Sequence, residues 1–423
     1  MEGVYQEHQV QESLRNLHRR LETELGPIDL FVVPISKVPD KHRKASPSSF
    51  SPWVLSIGPL HTEDENVQAF KRHKTHYVMK LLSLITSEVH VLMELCIARV
   101  YDLMNRIKER YVGVNFVDDR KTACLLCIDA LFILGFFLTC FENGSHPQNM
   151  PPIETILHDL VLLENQIPLF VLDDIYNCTI LVIKPNTTLA TLLLTVLSHN
   201  NPFPVDTSIH NDSINDPPHI LGLLHQCYMS WANNFTANYP RSRIPSGASL
   251  LKAGVNLRPN TNLQLGLTMK VTLNNRGRAT LEMPVLHVGL GTESVLWNFI
   301  VYERLCTSCK PIASYLNAMG MLMKTKEDVD NLVASRVLIN SMGTGEEVAK
   351  MINNILKNVN VVHSFYEEEW KRLNKYYDDS STTWLKRICH SKPMKVIGSV
   401  VLILTFASGV VQTLYTIKSA ENK

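Results

Sequence analysis

Three polar residues, Glu164, Asn165 and Gln166, lie in an otherwise apolar stretch that ends at Pro168. Burial raises the pKa of a carboxyl group and suits it to general acid or base work, so Glu164 is a candidate catalytic carboxylate. The neighbouring sequence offers it neither a base nor a nucleophile. A proline, however, removes a helical hydrogen bond and leaves a carbonyl without its donor. We therefore predict that these three polar side chains bond to main-chain groups near Pro168.

Two C-x-x-C pairs are present, Cys124 with Cys127 and Cys306 with Cys309. Four thiolates can bind zinc. The two pairs are far apart in the sequence, however, and the first lies in an apolar helical segment, whereas structural zinc modules keep their ligand pairs close together. We predict that these residues are core cysteines, and we expect neither a bound metal nor a cofactor.

Three histidines, His61, His73 and His76, are close together in the sequence. His73 and His76 are three residues apart, which places them on one face of a helix. A metal site would need a further carboxylate and converging geometry. We therefore interpret this cluster as a polar surface and not as a metal site.

Several function classes lack their sequence signatures. Gly343-Thr344-Gly345 resembles a phosphate-binding loop but lacks the lysine of such loops, and the two glutamates that follow would repel an anion, so we predict a capped helix start. Neither G-x-S-x-G nor H-E-x-x-H occurs. The formal net charge is +1, and the sequence shows no basic stripe of the kind that nucleic acid requires. We expect no catalytic activity and no nucleic-acid partner.

The segment from Val396 to Ile417 contains no charged residue. A helix of about 20 apolar residues crosses a bilayer core of ~30 Å, so we predict a transmembrane helix here; a buried core helix is the alternative. Lys386, Arg387, Lys392 and Lys395 precede the segment, which places the globular domain in the cytosol, with a single C-terminal anchor in the plasma membrane or an endomembrane. The apolar anchor residues include Val396, Leu402, Leu404, Phe406, Val411 and Leu414.

The remaining pattern predicts a mainly α fold with a small antiparallel β-sheet (α+β) and one C-terminal transmembrane helix. The sheet combines the runs Leu30–Val33 and Trp53–Ile57 with a hairpin over residues 267–285, where apolar residues alternate around an Asn274–Gly277 turn. Residues 122–141 form a second apolar run, which Asp129 makes costly in lipid, so we predict a core helix there. Helices are predicted over Ile153–Ile175, with an interruption at Pro168, and from Thr292 onward.

Four blocks of the sequence are distinctive: SPWVLSIGPLH from Ser51, KRHKTHYV from Lys71, DLVLLENQIPLFVLDDIY from Asp159 and ESVLWNFIVYERL from Glu293. With these blocks, the chain resembles the plant family catalogued as Domain of Unknown Function 247. The chain departs from the family pattern at Phe31-Val32-Val33-Pro34, where an aromatic-Arg-Val-Pro opening is usual, and at Leu60, where a tyrosine is usual. The motif residues are Ser56, Gly58, Pro59, His61, Leu163, Glu164, Asn165, Gln166, Pro168, Asn298 and Glu303.

This resemblance implies a membrane-anchored plant protein without an established enzymatic activity; some members of the family are associated with self-incompatibility loci. The predicted parts are an amphipathic helix (1–26), the globular family domain (27–380), a basic linker (381–395), the span (396–417) and a short tail (418–423). We expect a membrane-tethered recognition or signalling module that contacts the lipid bilayer and binds another protein or itself. The alternatives are a membrane-bound, hydrolase-like enzyme that uses Glu164 or His61, and a lumenal glycoprotein.

Overall fold

A computed structural model describes residues 35–144, 150–207, 216–229, 242–263, 266–275, 277–307, 309–359, 364–390 and 412. The predicted N-terminal helix and the run Leu30–Val33 lie outside these residues, and so does the predicted span Val396–Ile417 apart from Gln412. Within the described part, helices predominate and the strands are short, so the mainly α prediction is confirmed.

The helices and strands follow one another in this order: β1 Ile35–Ser36, α1 Asp40–Ala45, α2 Lys71–Ile85, α3 Val89–Asp102, α4 Met104–Glu109, β2 Tyr111–Val112, α5 Asp119–Asn143, α6 Ile153–Leu160, α7 Leu169–Cys178, α8 Ile180–Ile183, α9 Leu189–Leu197, α10 Ile220–Met229, α11 Gly247–Lys252, β3 Asn256–Pro259, β4 Lys270–Leu273, β5 Ala279–Met283, β6 Leu286–Val288, α12 Thr292–Cys306, α13 Pro311–Leu322, α14 Lys326–Ala334, β7 Leu338–Asn340, α15 Gly345–Lys357 and α16 Glu367–His390. Short 3₁₀ helices occupy Pro47–Phe50, Glu65–Phe70 and Ser198–Asn200.

The described chain divides into two units. The first contains residues 35–201, 205–227 and 293–310. The second contains residues 202–204, 228–292 and 311–390. The motif residues named above all belong to the first unit.

Helix α5 is the centre of the first unit. Its N-cap is Asp118, whose carboxylate accepts a hydrogen bond from the main-chain N–H of Lys121 at 3.0 Å, and its C-cap is Gly144, in the left-handed conformation with φ 62°. A helix that is apolar on every side requires burial. Helices α2, α3, α7 and α9 pack around α5, so the core-helix prediction for residues 122–141 is confirmed.

Within the described chain, α5 is the one single helix that is long and apolar enough to cross a membrane. Inside the protein, 78% of its most apolar stretch is buried. The segments Glu65–Ile85 and Val89–Asp102 pass the same test only when taken together, and they are bent by 108° relative to each other. Burial of α5 is the property of a core helix.

The predicted hairpin is present in the second unit. Strands β4 and β5 pair antiparallel with Val271 opposite Leu281, and Gly277 adopts φ 70° in the connecting turn. Strand β3 adds to β5 in parallel, which makes a three-stranded mixed sheet. Leu281 and Met283 of β5 are fully buried, as the alternation of apolar residues predicted.

The prediction that Trp53–Ile57 joins the hairpin in one antiparallel sheet is wrong, and the run Leu30–Val33 lies outside the described residues. Trp53–Ile57 forms no strand, because side chains and not a neighbouring strand bind its N–H groups. Two small parallel pairs occur instead, β1 with β2 and β6 with β7. The sequence from Thr292 onward was predicted to be wholly helical, and β7 is a further correction.

Candidate functional site

The irregular segment Trp53–Gly58 is held by side chains from distant helices, beginning with Asp159 at the end of α6. Both oxygens of its carboxylate accept hydrogen bonds from three successive N–H groups, those of Trp53, Val54 and Leu55, each at 2.8 Å. Asp159 is completely buried. In a sheet, these main-chain N–H groups would donate to a neighbouring strand; here they donate to one carboxylate. Hydrogen bonds to a carboxylate are charge-assisted and stronger than those between neutral groups.

Asn165 continues this arrangement in the turn between α6 and α7. Its side-chain oxygen accepts from the N–H of Ile57 at 2.6 Å. Its amide group donates to the carbonyls of Leu55 and Asp159, both at 2.8 Å. A single side chain thus satisfies three buried main-chain groups, each of which would cost about 1–3 kcal/mol if left without a partner.

A buried ion pair fixes the next residues of the same segment. Asp129, in the middle of α5, accepts from the N–H of Gly58 at 2.8 Å and from the Lys74 ammonium at 2.5 Å. Lys74 also donates to the carbonyl of Ser56. Burial raises the pKa of Asp129 although Lys74 and the Gly58 N–H oppose that rise. Asp129, which the sequence marked only as costly in lipid, therefore orders the segment before Pro59.

Gly58 is required by close approach as well as by its backbone angle. Its φ is 70°, and a Cβ at this position would lie 2.6 Å from the carbonyl oxygen of Gln166. That carbonyl also accepts a hydrogen bond from the Tyr111 hydroxyl at 3.0 Å. Any larger side chain would displace the Glu164–Gln166 turn, which explains why glycine precedes the half-buried Pro59 here.

Gln166 serves the main chain as predicted. Its amide group donates to the carbonyls of Leu160 and Leu162 at 2.7 and 2.8 Å, and its oxygen accepts from the N–H of Leu221 at 3.2 Å. Pro168 is buried and immediately precedes α7, so α6 ends at Leu160 and the chain turns before the proline instead of kinking at it.

Glu164 is the only one of the three polar residues that joins other ionisable side chains. Its carboxylate accepts from the Val38 N–H, from the Arg43 guanidinium at 2.5 Å and from the His61 ring at 3.1 Å. The other ring nitrogen of His61 lies 2.8 Å from the Asp64 carboxylate. The fold thus brings together two of the residues singled out in the sequence, Glu164 and His61.

Charges around this pair shift both pKa values. For Glu164, burial favours the neutral form, but the hydrogen bonds from His61, Arg43 and Val38 prevail and lower the pKa. For His61, burial opposes the charged ring, but the bonds to Glu164 and Asp64 prevail and raise the pKa. The geometry therefore favours an ionised carboxylate beside a charged imidazole, which is an ion pair and not a free base.

The side chains of Glu164 and His61 are both buried in the first unit. Glu164 is 3% exposed and His61 is 7% exposed. A cleft of ≈ 520 Å³ does occur in the same unit, but it lies between α7, α9 and Pro217 and neither residue lines it. Both oxygens of the Glu164 carboxylate are already engaged, Oε1 by Val38 and Arg43 and Oε2 by His61, whereas a general acid or base needs an oxygen within reach of the substrate.

Helix α12 supplies the last two motif positions. The side-chain oxygen of Asn298 accepts from the N–H of Leu163 at 2.8 Å, and its amide group donates to the carbonyl of Ser49 at 2.7 Å. Glu303 lies 3.0 Å from the ring of His225. Leu163, Asn298 and Glu303 are all completely buried. These residues connect α12 to the Glu164–Gln166 turn and to α10.

Comparison with known proteins agrees with the motifs. A family model described as "Plant protein of unknown function", Domain of Unknown Function 247, matches residues 35–408. The chain belongs to this family. A UPF0481 protein of Arabidopsis thaliana is 25% identical over 377 residues, which cover 81% of this chain and 76% of that protein. A putative UPF0481 protein of the same plant is 22% identical over an alignment of 486 positions, which spans 91% of this chain and 89% of that protein. No solved structure matches.

The cysteines of this family member do not assemble a metal centre within the described chain, where no group of three or more His, Cys, Asp and Glu residues is placed to hold an ion. Cys127 is buried in α5, and Cys124 and Cys309 are half-buried. The side chain of Cys306 lies outside the described residues. Cys127 adjoins the thiol of Cys96, whose pKa rises to about 12, so Cys96 remains a protonated core thiol.

The other sequence motifs have structural explanations. His73 is half-buried and packs against Phe70 with ring centroids 5.3 Å apart, and His76 is exposed, which fits a surface face only in part. The loop at Gly343 leads into a capping box, in which Thr344 and Glu347 bind each other's main-chain N–H groups. The prediction of a capped helix start is confirmed.

The sequence did not reveal which side chains bind the Ser51–His61 block. These are Asp159, Lys74 and Asp129. Asp159 lies within the DLVLLENQIP block, and Lys74 within the KRHKTHYV block. A charged residue inside a predicted core helix, as at Asp129, was the available signal, because a buried charge requires a partner.

The ion pair makes stability depend on pH in a defined window. Because the pKa of His61 is raised in the folded protein, its ion pair adds to the free energy of unfolding. This contribution is complete below the ordinary pKa of 6.5 and is lost as the pH rises through the higher pKa of the folded state. The lowered pKa of Glu164 also adds to the free energy of unfolding. This contribution is present above the ordinary pKa of 4.5 and is lost as the pH falls through the lower pKa of the folded state. His61→Gln should therefore abolish the alkaline loss and reduce the free energy of unfolding most near pH 5–6.

Denaturant unfolding of the wild type and His61→Gln between pH 4 and 9 measures this effect. His90→Gln is the matched control, because the His90 side chain is 74% exposed and contributes little. Identical pH profiles for the wild type and His61→Gln would contradict the assigned ion pair.

Proposed function

We propose that this member of the Domain of Unknown Function 247 family is a membrane-tethered protein-interaction module without catalytic activity. The observation that carries the proposal is the state of its polar motif residues. Asn165, Gln166 and Asn298 bond to buried main-chain groups, and Glu164 is enclosed by Val38, Arg43 and His61. Residues used in this way hold the fold together, and none of these four side chains is exposed for catalysis.

The tether is the uncharged segment Val396–Ile417, which supports a bilayer as the first partner. Helix α5 is also a long apolar segment, but it is buried among α2, α3, α7 and α9 and therefore belongs to the core. The basic residues before Val396 favour a cytosolic globular domain on the plasma membrane or an endomembrane. In this arrangement the module presents its surface to cytosolic proteins or to a second copy of itself.

Such a module would act in recognition or signalling in plants. The resemblance to the family suggests self-incompatibility-type recognition as one instance. A tethered module acts by raising the local concentration of its partner at the membrane and needs no turnover. The names of the two Arabidopsis relatives described above state no activity.

A membrane-bound, hydrolase-like enzyme is the second candidate, and the 3.1 Å contact between His61 and Glu164 is the observation in its favour. A carboxylate that orients a histidine is part of many acid–base sites. The burial of both residues argues against it, since the substrate would need to reach the His61 ring.

The anchor is tested by membrane fractionation of the full-length chain in plant cells. The wild type should sediment with membranes and resist alkaline carbonate. Replacing Leu404 and Phe406 with lysine should move most of the protein to the supernatant, because each charge at mid-span costs roughly 2.5–3.5 kcal/mol. Leu404→Ile with Phe406→Leu is the matched control and should remain with the membranes. A folded wild-type protein found in the supernatant would overturn the tether.

A further inference from the structure

The cleft of ≈ 520 Å³ in the first unit contains none of the family motif residues. Residues of α7, of α9 and of the loop before α10 line it, together with Arg106 of α4. Its volume lies within the range of small-ligand sites, about 300–1,000 Å³. All of the residues that line it belong to the first unit. The chemistry of this lining therefore indicates which kind of molecule the cleft suits.

The most buried residues of the lining are apolar or aromatic. Leu193 of α9 is completely buried, and Leu223 of α10 and Tyr176 of α7 are 1% and 3% exposed. The Tyr176 hydroxyl donates to the carbonyl of Thr187, so its polar group already has a partner. A ligand that reaches these residues should present an apolar or aromatic body to them.

Two exposed carboxylates also line the cleft, Asp173 of α7 and Asp216 in the loop before α10. The N–H of Leu169 donates to the carbonyl of Pro218 at 2.9 Å, which holds this loop at the start of α7. Although Asp173 is exposed, partial desolvation raises its pKa; the hydrogen bond from Asn177 opposes the rise, and the carboxylates of Asp174 and Asp216 add to it. Asp173 and Asp216 are therefore close enough to repel each other.

The cations nearest to these carboxylates do not neutralise them. Arg106 is the only cation among the described residues that line the cleft, and within the described chain it forms no ion pair with either carboxylate. Its guanidinium carbon lies 3.9 Å from the centroid of the Phe170 ring instead. Lys184 is paired with Glu142 at 2.8 Å. Two carboxylates and one guanidinium leave the lining with a net charge of −1.

We propose that this cleft binds a small organic cation, in which one ammonium group is attached to an apolar or aromatic body. The ammonium group donates to the carboxylates of Asp173 and Asp216, and the body covers Leu193, Leu223 and the Tyr176 ring. An ammonium group has three N–H donors and no acceptor, so it can serve both carboxylates at once. The inference goes beyond the tethered-module proposal and does not rest on it, because the lining lies wholly in the first unit.

A metal ion suits the lining less well than an organic cation. Ca²⁺ takes about six to eight oxygen ligands, and Mg²⁺ requires a nearly ideal octahedron. No group of three or more His, Cys, Asp and Glu residues in the described chain is placed to hold an ion. The buried apolar residues would contribute nothing to a metal site, whereas they stabilise the body of an organic ligand.

Fluorine NMR titration with para-fluorobenzylammonium tests the charge requirement. The full-length chain is used in detergent micelles, and protein-free micelles of the same detergent provide the blank. The amine should bind roughly tenfold more tightly than para-fluorobenzyl alcohol, because charged hydrogen bonds are stronger than neutral ones. Asp173→Asn with Asp216→Asn should remove this difference and leave the binding of the alcohol unchanged. Asp102→Asn, an exposed carboxylate of α3 outside the cleft, is the matched control.

A second pair of variants tests the place of binding. Ala190 of α9 is half-buried and lines the cleft, so Ala190→Phe should fill it and abolish saturable binding of both probes. Ala98→Phe adds the same side chain at an exposed position of α3 in the same unit and should change neither affinity.

Three results would overturn the proposal. The first is that the wild type shows no saturable binding of the amine at millimolar concentration. The second is that para-fluorobenzoate binds as tightly as the amine, or that the amine binds equally well to the Asp173/Asp216 variant and to the Ala190 variant. The third is that Ca²⁺ displaces the amine at equal concentration, which would assign the two carboxylates to a metal ion.

Discussion

The first unit depends on one kind of interaction, in which buried side chains bind the main chain of residues 53–58. Asp159, Asn165 and Asp129 take up the N–H groups of Trp53, Val54, Leu55, Ile57 and Gly58 at 2.6–2.8 Å. The segment has no neighbouring strand, so the N–H groups of Leu55, Ile57 and Gly58 would otherwise be buried without an acceptor. At about 1–3 kcal/mol for each unsatisfied group, their sum is comparable with the whole stability of a domain.

This constraint explains the residue types of the family motifs. Carboxylates and carboxamides are the side chains that accept from several N–H groups at once. A glycine at position 58 admits the carbonyl of Gln166, and the ammonium of Lys74 neutralises Asp129. A buried charge that loses its partner is strongly destabilising. The same arrangement limits catalysis, because Glu164 and His61 are held in an enclosed ion pair.

Part of this structure follows from the sequence. The periodicity of two at Leu267–Val285 and the nearly unbroken apolar run at residues 122–141 predict the β4–β5 hairpin and the buried helix α5, because both signals are local. The polar turn at Glu164–Gln166 was also predicted to serve the main chain, since Pro168 signals freed carbonyls. Local patterns thus identify elements and one supporting turn.

The remainder depends on contacts between distant residues. Trp53–Ile57 has the composition of a strand, but its acceptors are 104–108 positions away along the chain, in Asp159 and Asn165. Lys74 and Asp129 are 55 positions apart. No local pattern shows which acceptor an extended segment will meet. The Glu164–His61 pair, 103 positions apart, was unpredictable for the same reason.

Amide hydrogen exchange of Trp53, Val54, Leu55, Ile57 and Gly58 in the full-length native protein tests the central claim most directly. These residues belong to no helix or strand, so an ordinary loop would exchange them at nearly the rate of an unfolded peptide. The account predicts that they exchange as slowly as the buried amides of α5, through global opening of the unit. Rapid exchange of these five amides in a protein whose α5 remains protected would contradict it.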